Sequence, residues 1–98
     1  MNINNTEIKL KNTFRALIIF EEITGKSFTG NGIKEILIYF YSVILANNSE
    51  FDMTFENFID YLDDNNDKLN EFIEWLSNIN ERNKITTTDE SSDEVKKN

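Results

Sequence analysis

This chain of 98 residues contains no cysteine and no histidine, and those two absences exclude a wide range of chemistry. Nucleophile–histidine pairs, thiolate reactions, zinc sites with nitrogen or sulfur ligands and disulfides are all ruled out. Carboxylates, hydroxyls and lysines are what remains. The three glycines, Gly25, Gly30 and Gly32, fit neither a P-loop nor a dinucleotide-binding spacing. No apolar run reaches the roughly 20 residues of a membrane span, and the start lacks a positive region followed by an apolar one, so a soluble cytoplasmic protein is expected. Cations are scarce as well: 10 lysines and arginines stand against 18 acids, for a formal net charge of −8.

That imbalance is concentrated in one segment. Glu50, Asp52, Glu56, Asp60, Asp63, Asp64, Asp67, Glu71 and Glu74 face Lys68 alone, so the stretch from 50 to 74 carries all of the excess. A field of this sign repels phosphate backbones and anionic bilayers, which makes neither nucleic acid nor membrane an expected partner. A basic partner is permitted. A solvated acidic face that keeps a small protein in solution explains the same charge.

The acids do not assemble into a recognisable site. Asp63, Asn65, Asp67 and Glu74 stand at positions 1, 3, 5 and 12 of an EF-hand loop, but Lys68 takes the place where that loop needs glycine. A helical stripe starting at Leu69 also runs through the supposed loop. Paired carboxylates of the glycosidase kind need a cleft to hold them at a working distance, and no cleft is legible around Asp60, Glu71 and Glu74. The reading is non-enzymatic, with no cofactor and no metal.

Periodicity gives a mainly α, compact four-helix domain over residues 1–83. Its foldable part, roughly 80 residues, is small enough to bury only about 60 to 65% of its chain surface. Residues 1–11 read as a short β-hairpin, with Asn4-Asn5 as the turn and Ile8 and Leu10 alternating with lysines. A first helix over 12–24 is capped by Asn12 or Thr13 and stopped at Thr24-Gly25, with glycine in the left-handed position. Its apolar residues, Phe14, Ala16, Leu17, Ile18, Ile19, Phe20 and Ile23, surround most of the helix, which predicts cover on more than one side. Phe28 is expected to return to the core.

The second helix, over 31–47, has a core stripe of Ile33, Ile36, Leu37, Phe40, Val43 and Ile44. Its other side still carries Ile38, Tyr39, Tyr41 and Leu45, so the helix is either central or presents a face for a partner or a second copy. Thr54 caps a third helix over 54–64, with Met53 placed to staple onto Phe58. A fourth helix over 67–82 repeats its pattern: FIDYL at 58–62 returns as FIEWL at 72–76, fourteen residues on. The intervening Asp63-Asp64-Asn65-Asn66-Asp67 favours a break and a helical hairpin over one continuous helix. Residues 84–98 read as a flexible, disordered polar tail.

On these residues the chain resembles the small tail assembly chaperones of long-tailed bacteriophages and prophages. FRALIIFEEITGKSF, ILIYFYSVILANN, MTFENFIDYLDDN and LNEFIEWL carry the likeness, which covers about residues 1–80. The most specific parts are the Phe-x-Ala-Leu opening, the Phe-Glu-Glu-Ile-Thr-Gly-Lys ending, and Leu-x-x-Phe-x-x-Trp-Leu in the last helix. The resemblance implies a helical protein of the bacterial host cytoplasm that escorts the tape measure protein during tail tube assembly. It also implies, for many members, a longer frameshifted form that recruits tail tube protein.

Helix-in-groove binding of such a client would use exposed apolar and aromatic residues, and Tyr39, Tyr41, Leu45, Tyr61 and Trp75 are the partner-binding residues expected. Acids around them would steer basic stretches of the client. Two readings compete: an acidic DNA mimic that inhibits a host nucleic-acid enzyme, and a generic helical adaptor or homo-oligomer.

Overall fold

Two asparagines begin the fold. Asn4 and Asn5 have φ of 54° and 67°, and two consecutive positive values are what a two-residue primed hairpin turn needs. They join β1 (Asn2–Ile3) to an antiparallel β2 (Thr6–Glu7), with Asn2 opposite Glu7 and Ile3 opposite Thr6. The paired strands take up only part of residues 1–11, because the chain then finds another partner. The Lys9 N–H donates to Asn48 Oδ1 (2.9 Å), Asn48 Nδ2 donates to the Lys9 carbonyl (3.0 Å), and Asn47 Nδ2 donates to the Lys11 carbonyl (3.1 Å). Ile3 and Ile8 are thereby held in the core. The computed structural model describes the backbone of residues 1–88 and the side chains of residues 1–79.

Helix α1 (Phe14–Thr24) begins and ends as its sequence dictates. Thr13 Oγ1 accepts from the Ala16 N–H (3.2 Å), and Gly25, at φ 77°, donates its N–H to the Glu21 carbonyl (2.7 Å). Among the described residues, the cover expected around this helix is missing on its outer side. Ala16 and Phe20 are buried, whereas Phe14 is 85% exposed and Ile18 56% exposed. Phe14 and Ile18 lie one turn apart on the side away from Ala16 and Phe20, so α1 is an outer helix packed through a single face, chiefly onto the next helix.

Helix α2 (Ile33–Asn47) is the centre of the domain. Three consecutive aromatics, each turned about 100° from the last, reach three sets of neighbours. Tyr39 packs on Phe20 and Phe28; Phe40 stacks on Phe72 (4.2 Å, 7°) and meets Phe58 edge-on (5.0 Å); Tyr41 sits among Phe51, Phe55 and Phe58. This fan explains why the helix is apolar nearly all round. Of the expected stripe, Phe40, Val43 and Ile44 are fully buried, Ile36 and Leu37 are half-buried, and Ile33 is exposed in the first turn. Ile38 and Tyr39, expected on the opposite side, are buried too. The one buried polar side chain among the described residues, Ser42, satisfies its hydroxyl on the Ile38 carbonyl (2.8 Å).

Helices α3 (Phe55–Asp64) and α4 (Asn66–Thr88) are separated by a single residue, Asn65. Thr54 Oγ1 caps α3 by accepting from the Asn57 N–H (3.1 Å). At the break, Asn65 donates its N–H to Leu62 and its side-chain amide to Tyr61, while its carbonyl accepts from Lys68. The sequence repeat has a structural counterpart: Phe58 and Phe72, fourteen residues apart, are both fully buried and both pack on Phe40. Helix α4 is drawn to Thr88, past the expected end at residue 82, and residues 89–98 of the expected polar tail lie outside the described residues.

Candidate functional site

Along one side of α2, Lys34, Ile38 and Tyr41 follow i, i+4, i+7 and therefore share a face. The end of α1 and the turn after it supply a second wall, Ile23, Thr24 and Lys26, and Phe55 at the start of α3 completes the enclosure. Asn31, in the loop that joins α1 to α2, and Glu35, in the first turn of α2, also line it. The result is a half-open groove of about 700 Å³.

Its floor is apolar and its borders are charged. Ile38 is buried, Ile23 is 50% exposed, and the rings of Tyr41 and Phe55 meet edge-on at 5.3 Å. The Tyr41 hydroxyl is already committed, donating to the Met53 carbonyl at 2.7 Å, so this tyrosine offers the groove ring surface rather than a free hydroxyl. Burial pushes the Tyr41 phenol above its ordinary pKa, and does the same to Tyr39.

Glu35, the one acid in the lining, is occupied with building the wall. Its carboxylate accepts from the Thr29 N–H (2.7 Å), the Gly30 N–H (2.7 Å) and the Thr29 hydroxyl (3.0 Å). These bonds, the Thr29 backbone first among them, hold its carboxyl below its ordinary value against a smaller opposing effect of burial. The loop they secure turns through Gly30 at φ 82° and Gly32 at φ 89°, a backbone region that favours glycine. Lys26 and Lys34 are exposed. Among the described residues the ion pairs join the N-terminus to Glu7 and Lys68 to Asp67, and neither involves these two lysines.

The five residues expected to bind a partner are dispersed by the fold. Tyr41 lines the groove. Tyr39 does not reach the surface: it is 3% exposed, its ring stacked on Phe28, because α2 is wrapped on that side by α1 and the loop behind it. Tyr61 and Trp75 are half-buried and packed on the core, Trp75 beside Phe72 with ring centroids 5.5 Å apart. Leu45 is half-buried outside the groove lining.

Ile23, Lys26, Lys34 and Phe55 were not legible as site residues, since three separate segments contribute them. The available signal is an apolar residue, Ile23, in the last turn of a helix, two residues before its glycine stop. Among the described residues, no three His, Cys, Asp or Glu side chains gather to hold a metal ion, and no helix is long and apolar enough to cross a membrane. Comparison with protein-family profiles, with curated proteins and with solved structures finds no match to this chain.

Proposed function

We propose that this chain is a non-enzymatic tail assembly chaperone of a long-tailed bacteriophage or prophage. In this reading it binds the tape measure protein in the bacterial cytoplasm and keeps it soluble while the tail tube assembles. The resemblance in the sequence motivates the reading, and the observation that carries it is the groove: solvent-open apolar surface on Ile23, Tyr41 and Phe55, on a small helical domain. Such a surface suits an amphipathic helix laid along it. A long helical client takes up many copies, so weak single contacts multiply along its length. A longer form that also recruits tail tube protein belongs to the same proposal.

Affinity capture tests it. The tagged full chain, expressed with its neighbouring genes, should retain a very long helical protein in stoichiometric amount. Recovery of a nucleic-acid enzyme that salt releases would replace this reading with DNA mimicry, and recovery of the chain alone as a defined oligomer would replace it with a structural role.

A further inference from the structure

The chain carries −8, and the acidic stretch from 50 to 74 suggests a basic client, yet the charged residues that line the groove, Lys26, Lys34 and Glu35, sum to a formal +1. Two of the described cations, Lys26 and Lys34, border it, and the acid in its lining, Glu35, is committed to Thr29 and Gly30. We infer that the groove selects an acidic amphipathic helix: two apolar side chains one turn apart to cover Ile23, Ile38 and the Tyr41 ring, flanked by aspartate or glutamate that meets Lys26 and Lys34. The identity of the client as tape measure protein rests on the function proposed above; the selectivity of the groove does not.

At about 0.15 M salt the Debye length is about 8 Å, so acids farther than that from a seated peptide are largely screened, while the bordering lysines act at contact. Neither lysine must break an ion pair seen among the described residues to do so. The apolar floor supplies affinity and the lysines supply sign and register. A basic helix in the same place would set like charges against Lys26 and Lys34.

The test uses the full chain and two labelled helical peptides of about four turns, alike in their leucines at i and i+4 but flanked in one by glutamate and in the other by lysine. Fluorescence anisotropy should show the acidic peptide binding the wild-type chain about tenfold more tightly than the basic one. The double variant Lys26→Glu with Lys34→Glu should reverse that order, and Ile23→Ser should weaken both peptides. All three side chains are exposed, and circular dichroism with thermal melting verifies that each variant folds. Equal binding of both peptides, preference for the basic one, or an order unaffected by the double charge reversal would overturn the inference. So would a dimer whose dissociation is needed before either peptide binds, because the groove would then belong to a second copy. Capture of a tape measure protein that is indifferent to the double variant would leave the chaperone proposal standing and remove this one; acid-selective peptide binding without such capture would do the reverse.

Discussion

The ring of Tyr39 lies nearly flat on that of Phe28, with centroids 4.1 Å apart and planes 14° apart. Phe20 closes on both rings edge-on, at 5.3 Å to Phe28 and 6.2 Å to Tyr39. This cluster links the core to the groove, because Phe28 belongs to the same short connection as Lys26, Thr29 and Gly30. A residue that the sequence offered as interface thus acts from inside, by fixing the segment that forms one wall of the site.

Removing that anchor should cost stability and weaken binding together. Phe28 is half-buried, so Phe28→Ala is expected to destabilise by about 2–3 kcal/mol, somewhat under the range for a fully buried phenylalanine. Urea unfolding gives the first quantity and peptide anisotropy the second. A destabilised variant that still binds with wild-type affinity would show that the loop does not depend on this stack.

Asn48 acts on the first segment as a neighbouring strand would, pairing with both the N–H and the carbonyl of Lys9. Asn48→Ala should lower stability by about 1 kcal/mol, reduced by the solvent access of these bonds. Hydrogen exchange at the Lys9 amide should quicken well beyond the change in global stability. Unaltered exchange at that amide would mean that Ile3 and Ile8 alone hold the hairpin down.

The Glu35 carboxylate provides a pH test. Its folded value lies below the ordinary one, so its contribution is present at neutral pH and persists above the unfolded carboxylate value. It is lost as pH falls through the folded value. In an acid titration followed by nuclear magnetic resonance, the Thr29 and Gly30 amides should shift with a midpoint below the usual carboxylate range, and Glu35→Gln should abolish the transition. A midpoint at or above the ordinary value would contradict the geometry.

The tyrosines give the alkaline counterpart. Burial raises Tyr39 and Tyr41, so the protonated phenols favour the folded state and the unfolded chain ionises first. Stability attributable to them is complete below the ordinary phenol value and falls as pH rises through the folded values. Spectrophotometric titration of the folded chain should show tyrosinate appearing late, and Tyr39→Phe should remove part of that late absorbance. Ionisation of Tyr39 at its ordinary value would place it in solvent.

What the sequence made legible was local. Thr13, Gly25 and Thr54 terminate helices through side-chain or backbone preferences that act over three or four residues, and each has the bonds expected of it. The FIDYL and FIEWL repeat was readable because Phe58 and Phe72 meet the same partner, Phe40. Exposure was harder to read. Phe14 and Ile18 looked like core because they are apolar, but an 11-residue outer helix needs only one buried face, and Ala16 with Phe20 already supplies it. Tyr39 reads as surface because it falls outside the main stripe of α2, but α1 and the loop behind it cover that side of the helix. The groove depends on Ile23, Lys34 and Phe55 coming together from three elements, and no spacing within one element reports such a meeting.

The most direct test of the account maps the binding surface residue by residue. Amide shifts of the isotope-labelled full chain would be followed as an acidic amphipathic helix from the captured client is added. The largest changes are expected along Ile23 to Lys26, Lys34 to Tyr41 and at Phe55, with α3 and α4 around Tyr61 and Trp75 little altered. Changes centred on Tyr61 and Trp75, with the groove residues silent, would contradict it.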